Sequence, residues 1–182
     1  MRHARRSPAS DAHAALLALT AARLPTRVGP DGVAQLLEDQ PREQWDRSLI
    51  ALGLDHLERS ARGKELTVWH LRAEIAALHT LAPSSGDTDW PRIVAIYDQL
   101  HDIDPSPVVE LARAVALGRA RGPAEGLAAL PSPDGNPYGH AAMAIFLTEL
   151  GRTDEARNHF EKARALARTE PERRLLERRL RS

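Results

Sequence analysis

Cysteine is absent from the 182 residues, which excludes disulfides, thiol nucleophiles and thiolate-ligated zinc together. β-Branched apolar residues are scarce: seven Val and six Ile leave little material for a large sheet. Net charge is missing as well. Twenty-five Lys+Arg balance 25 Asp+Glu, so the basic excess of a whole-chain nucleic-acid binder is not there. No run approaches the roughly 18–20 apolar residues of a membrane span. The basic start and the apolar residues 14–19 do not build an export signal, because Thr20 and Arg23 interrupt the run and Pro25 closes it. What is present is Ala and Leu, strong helix formers, in a chain that is 42% hydrophobic and 27% charged.

Periodicity divides the chain into helices. Residues 1–10 read as a disordered leader and 11–182 as a single helical domain, beginning with a short helix that ends near 24. Residues 25–32 are turn-rich, with Pro30-Asp31-Gly32 at their end, and 33–37 read as a short extended piece. A helix is expected from Pro41, with Trp45, Leu49, Leu52 and His56 on one stripe. Others follow over about 66–81, from Trp90, over 108–121, 124–130, 138–150 and 154–167, and a last one carries Leu175, Leu176 and Leu180. Pro and Gly punctuate them. The segment 138–168 has the clearest pairing: Gly151 at a turn, small Ala156, bulky Phe160, small Ala163, then Pro171. That small–large–small order is the one a tetratricopeptide helix pair uses, and Tyr97 followed by Pro105 repeats part of it. The expected fold is all-α, a tetratricopeptide-like helical-hairpin array of about eight or nine helices. Trp45, Trp90, Tyr97 and Phe160 are its expected structural anchors.

No catalytic constellation accompanies this pattern. None of the eight His forms the i,i+4 pair that chelates a metal, and His70 and His79 fall on opposite helix faces. Asp87 and Asp89 lead into the apolar helix at Trp90 and read as caps, not cation ligands. Gly63-Lys64 lacks the rest of a phosphate loop, and G-x-S-x-G and G-x-G-x-x-G are absent. The expectation is a protein that is not an enzyme and needs no cofactor or metal. Charge is nevertheless unevenly placed: residues 31–58 carry −5 and residues 162–182 carry +5. Glu38, Asp39, Gln40 and Asp46 on the acidic side, and Arg174 and Arg178 on the basic side, are the candidate partner-binding residues. An elongated array is expected to keep these two stretches apart and separately available.

Several short motifs occur in a distinctive order. They are residues 36–46 (LLEDQPREQWD), 73–79 (AEIAALH), 87–90 (DTDW), 96–98 (IYD), 105–109 (PSPVV), 113–116 (RAVA) and 122–127 (GPAEGL), then Gly151-Arg152 through Glu155-Ala156. Their order and spacing over about residues 12–181 resemble the C-terminal extension of a group of bacterial RNA polymerase sigma factors of the extracytoplasmic-function class. The sequence departs from that pattern at Ala112, where Asn is usual, and at residues 67–72, where TVWHLR replaces a Gly-Pro-Tyr-Gln-Leu-Gln opening. In that group a promoter-melting domain and a helix-turn-helix domain precede the extension. Neither is in these 182 residues, so promoter recognition does not carry over.

The resemblance implies a cytoplasmic, non-enzymatic regulatory domain that supports transcription initiation. Its partners would be protein, namely the sigma DNA-binding domains and the RNA polymerase core, with DNA engaged only indirectly and no membrane. The competing reading is a standalone helical-repeat adaptor that binds another protein or peptide.

Overall fold

A computed structural model describes residues 7–181. Among them nine α-helices form: α1 (Pro8–Ala21), α2 (Arg47–Ser60), α3 (Val68–Leu81), α4 (Trp90–Ile103), α5 (Pro107–Arg121), α6 (Pro123–Ala129), α7 (Pro137–Glu149), α8 (Thr153–Leu166) and α9 (Glu170–Arg181). Three 3-10 turns add Leu24–Thr26, Leu37–Asp39 and Arg42–Gln44. Extended pairing among the described residues is limited to one isolated antiparallel bridge, Val28 to Ala34. The fold is an all-α helical array, as the Ala/Leu composition and the periodicity predict.

The chain makes two compact units where a single domain is expected. One comprises the chain up to Arg27 together with Leu36–Asp89, and the other Val28–Gln35 together with the chain from Trp90 onward. In the first, α1 packs on both α2 and α3. In the second, α4 to α9 pack each on the next, in the manner of stacked hairpins.

Proline sets many of the helix starts, because its missing N–H is one of the four that a first turn leaves unpaired. Pro8, Pro107, Pro123 and Pro137 each open a helix. Pro8 places the start of α1 earlier than the expected leader allows, with the Ser7 hydroxyl accepting from the Ser10 amide at 3.2 Å. The remainder of that leader, residues 1–6, lies outside the described residues. The helix expected from Pro41 also starts elsewhere. Asp46 is its cap, its carboxylate accepting from the amides of Ser48 and Leu49 at 2.9 and 3.0 Å, so α2 begins at Arg47. Residues 37–39 and 42–44 form 3-10 turns instead, and Trp45 precedes the helix on whose apolar stripe it was expected to lie.

Close helix approach rests on small residues. A Cβ on Gly53 would come within 2.7 Å of Leu19 Cγ, so α1 and α2 cross at a glycine. Beside that crossing, buried Asp11 and His56 share a 2.8 Å hydrogen bond. In the second unit, a Cβ on Gly126 would lie 2.6 Å from the Gly118 Cα, and Phe146 of α7 fills the cup between α5 and α6. The α7–α8 hairpin closes on Gly151 in the left-handed region at φ 73°. The Arg152 amide donates to Leu147 O and the Gly151 amide to Thr148 O, at 2.9 and 3.0 Å, the paired bonds of a Schellman ending. Ala144, Leu147, Ala156, Phe160, Ala163 and, from α9, Leu176 then form one buried cluster.

Candidate functional site

The acidic candidates separate once their neighbours are known. Glu38 and Asp39 are exposed on the turn Leu37–Asp39. Gln40 is not a surface residue: it is 8% exposed and its Oε1 lies 3.3 Å from the Thr26 hydroxyl oxygen. A buried amide must find partners inside the protein, and this one is used there. Asp46, though exposed, is committed to the start of α2.

The basic candidates are committed as well. Arg174 and Arg178 are exposed on α9, and Arg178 Nη2 meets Asp31 Oδ2 at 2.7 Å. Arg174 pairs with Glu170 at 3.1 Å and reaches the Asp31 carbonyl at 3.5 Å. The Ala34 amide donates to Pro171 O at 3.1 Å. The expectation that the acidic and basic stretches stay apart is therefore overturned at Asp31. Its loop, a turn with Gly32 at φ 74° and the Val33 amide on Asp31 Oδ1, lies against α9. The Arg178 hydrogen bond holds the Asp31 carboxyl below the usual carboxylate range.

Among the anchors, Trp45 and Phe160 are buried, at 3% and 6% exposure. Trp90 and Tyr97 are only half-buried. Trp90 is the first residue of α4 and is less enclosed than the core anchor expected from the apolar stripe. Phe146, which the sequence reading did not single out, is the largest fully buried side chain of the second unit, at 1% exposure.

Sequence reasoning also passed over a group of cations in the first unit. Trp45 Nε1 donates to the Thr26 hydroxyl at 3.0 Å, and the Arg42 guanidinium lies 4.8 Å above the Trp45 ring. Arg42 also donates to the carbonyls of His79 and Ala82, the latter at 3.1 Å, and so closes the C-terminal end of α3. Arg23 and Arg27 bracket the turn Leu24–Thr26. Burial lowers the Arg23 pKa, and the charges of Arg27 and Arg42 lower it further. Burial, then Arg23 and Arg42, push His79 down to about 4, so its ring is neutral at pH 7. Only the density of Arg at 23, 27 and 42 hinted at this group; nothing in their spacing says that they converge.

A second pair lies in the α7–α8 hairpin. His140 Nδ1 and His159 Nδ1 are 3.0 Å apart. One ring must donate and the other accept, so at least one is neutral. Burial lowers both pKa values, with Lys162 adding to the effect on each. No group of three or more His, Asp or Glu placed to hold a metal ion occurs among the described residues. No helix among them is long and apolar enough to cross a membrane.

Similarity to known proteins adds a context without an activity. A family of unknown function, DUF6596, matches residues 1–61. An uncharacterized protein of Rhizobium meliloti (strain 1021) is 39% identical over 158 residues, covering 84% of this chain and 37% of that protein. The chain thus spans well under half the length of the curated relative it matches. No solved structure matches it.

Proposed function

We propose that the chain is a non-enzymatic, cytoplasmic protein-interaction domain of an extracytoplasmic-function sigma factor, supporting transcription initiation by contact with the sigma domains or RNA polymerase. The observation that carries this reading is the stack of successive hairpins from α4 to α9, each helix packed on the next. Such arrays present extended surfaces to proteins and peptides. The ordered motifs of residues 36–46 through 151–156 supply the sigma-factor context by resemblance.

Exposed apolar side chains favour a protein partner over DNA. Ile103 and Val108, at 52% and 73% exposure, flank the α4–α5 turn, and the Arg113–Asp98 ion pair joins the same two helices. An apolar centre with a charged rim is the usual anatomy of a protein contact. Zero net charge gives little counterion release to drive phosphate-backbone binding.

The test is co-purification of the chain with a cognate sigma core and RNA polymerase, beside filter binding to promoter and random DNA. Retention on the protein partners, with weak DNA binding that is equal on both duplexes, is expected. Tight, promoter-selective DNA binding overturns the reading. Loss of retention on both sigma core and polymerase leaves the adaptor reading in its place.

A further inference from the structure

The cations of the first unit are arranged in a way that packing alone does not require. The turn Leu24–Thr26 is pinned from inside: the Thr26 hydroxyl donates to Arg23 O at 3.0 Å and receives the Trp45 indole N–H, also at 3.0 Å. Arg42 stands over that indole. Its Nη1 donates to the carbonyls of His79 and Ala82, and it also feels the carboxylate of Asp87. Arg23 and Arg27 differ. Among the described residues neither guanidinium has a hydrogen-bond or ion-pair partner, although Arg23 is half-buried. Burial and then the charges of Arg27 and Arg42 all lower the Arg23 pKa.

A partly desolvated guanidinium without a counter-charge is costly, and a planar fork of free N–H donors suits an oxyanion. His79, neutral at pH 7, adds no fourth charge to the group. We propose that Arg23, Arg27 and Arg42, gathered around the Thr26–Trp45 hydrogen bond, form a binding site for an oxyanion, either a phosphate or a carboxylate group. The site lies within one unit and stands independently of the sigma-factor reading.

The test uses the full chain, titrated with inorganic phosphate and separately with glutarate, both at ionic strength matched with sodium chloride. Two signals are read, the thermal midpoint and the NMR titration of the His79 ring. A bound oxyanion offsets the charges of Arg23 and Arg42, so His79 should titrate above its value of about 4 as the ligand saturates. Arg23→Gln should weaken binding about tenfold or more, the usual scale for a charge-assisted hydrogen bond. In that variant His79 should start from a higher value and respond less to ligand. Should Arg23→Gln fail to fold, Arg27→Gln, on an exposed side chain, should weaken binding in the same direction. A response to phosphate alone identifies a phosphoryl ligand, and an equal or stronger response to glutarate identifies a carboxylate. An identical response to chloride, or unchanged binding in both variants, overturns the proposal.

Discussion

Trp45 and Trp90 stand in similar places in the sequence, each just ahead of an apolar helical stripe, yet their surroundings differ. Trp45 is enclosed, donates to Thr26 and lies under Arg42, whereas Trp90 is half-open to solvent. Trp45→Ala should cost about 3–5 kcal/mol, the range for truncating an enclosed aromatic. Trp90→Ala should cost about 1–2 kcal/mol, because less apolar area returns to water. Urea midpoints of the two variants check this, and equal losses would contradict the difference in burial. His79 makes a second residue-level prediction. Its folded pKa of about 4 lies below the ordinary 6.5, so the unfolded chain takes up the proton first as pH falls. The stability associated with a neutral His79 is fully present above about pH 6.5 and is lost progressively toward pH 4. By pH 4.5 the loss should be on the order of 2–3 kcal/mol. His79→Gln should flatten that part of the stability–pH curve, and an unchanged slope in the variant would place the acid sensitivity elsewhere. The other lowered histidines, His140 and His159, act in the same direction and remain in the variant as background.

At the scale of elements, the two tight helix contacts of the second unit depend on residues without bulk. Gly126→Ala sets a methyl group against the Gly118 backbone, which cannot rotate away as a side chain can. Ala156→Leu pushes extra carbons into the cluster around Phe160. Each should cost about 1–3 kcal/mol by overpacking. Thermal melts read the loss, and a fully tolerated Gly126→Ala would mean that α5 and α6 are further apart than described. Helix number and type were legible in the sequence because Pro and Gly act locally: Pro107, Pro123, Pro137 and Gly151 mark the same boundaries in both readings. The Ala156–Phe160–Ala163 order was legible for the same reason, since residues three and four apart share a helix face. Residues 41–46 were misjudged because Asp46, not Pro41, holds the accepting oxygen for the first free amides. Phe146 was missed because its cup is built from two glycines on other helices, and a glycine leaves no periodic trace. The site candidates fared less well than the helices. Gln40 looked like a surface polar residue, and its burial depends on Thr26, fourteen positions away.

For the whole molecule, a zero net charge conceals a long-range pairing. Asp31 and Arg178 are 147 positions apart, and no local pattern announces that they meet. As an exposed pair, screened by water and salt, it contributes little to stability. Its significance is connective. The segment Val28–Gln35 belongs with the helices from Trp90 onward, although the chain on either side of it belongs to the other unit. No single cut therefore divides the polypeptide into its two units. A chain severed between Asp89 and Trp90 leaves its amino-terminal piece still carrying buried Val33, the Ala34 amide on Pro171 and Asp31 on Arg178. The two pieces should behave as a split protein, co-eluting after the cut and parting when residues 28–35 are replaced by a Gly/Ser linker. Separate elution of the unmodified pieces would show that this strap does not hold them. Anyone trimming the gene to obtain one unit alone would have to transplant eight residues, not merely choose an endpoint.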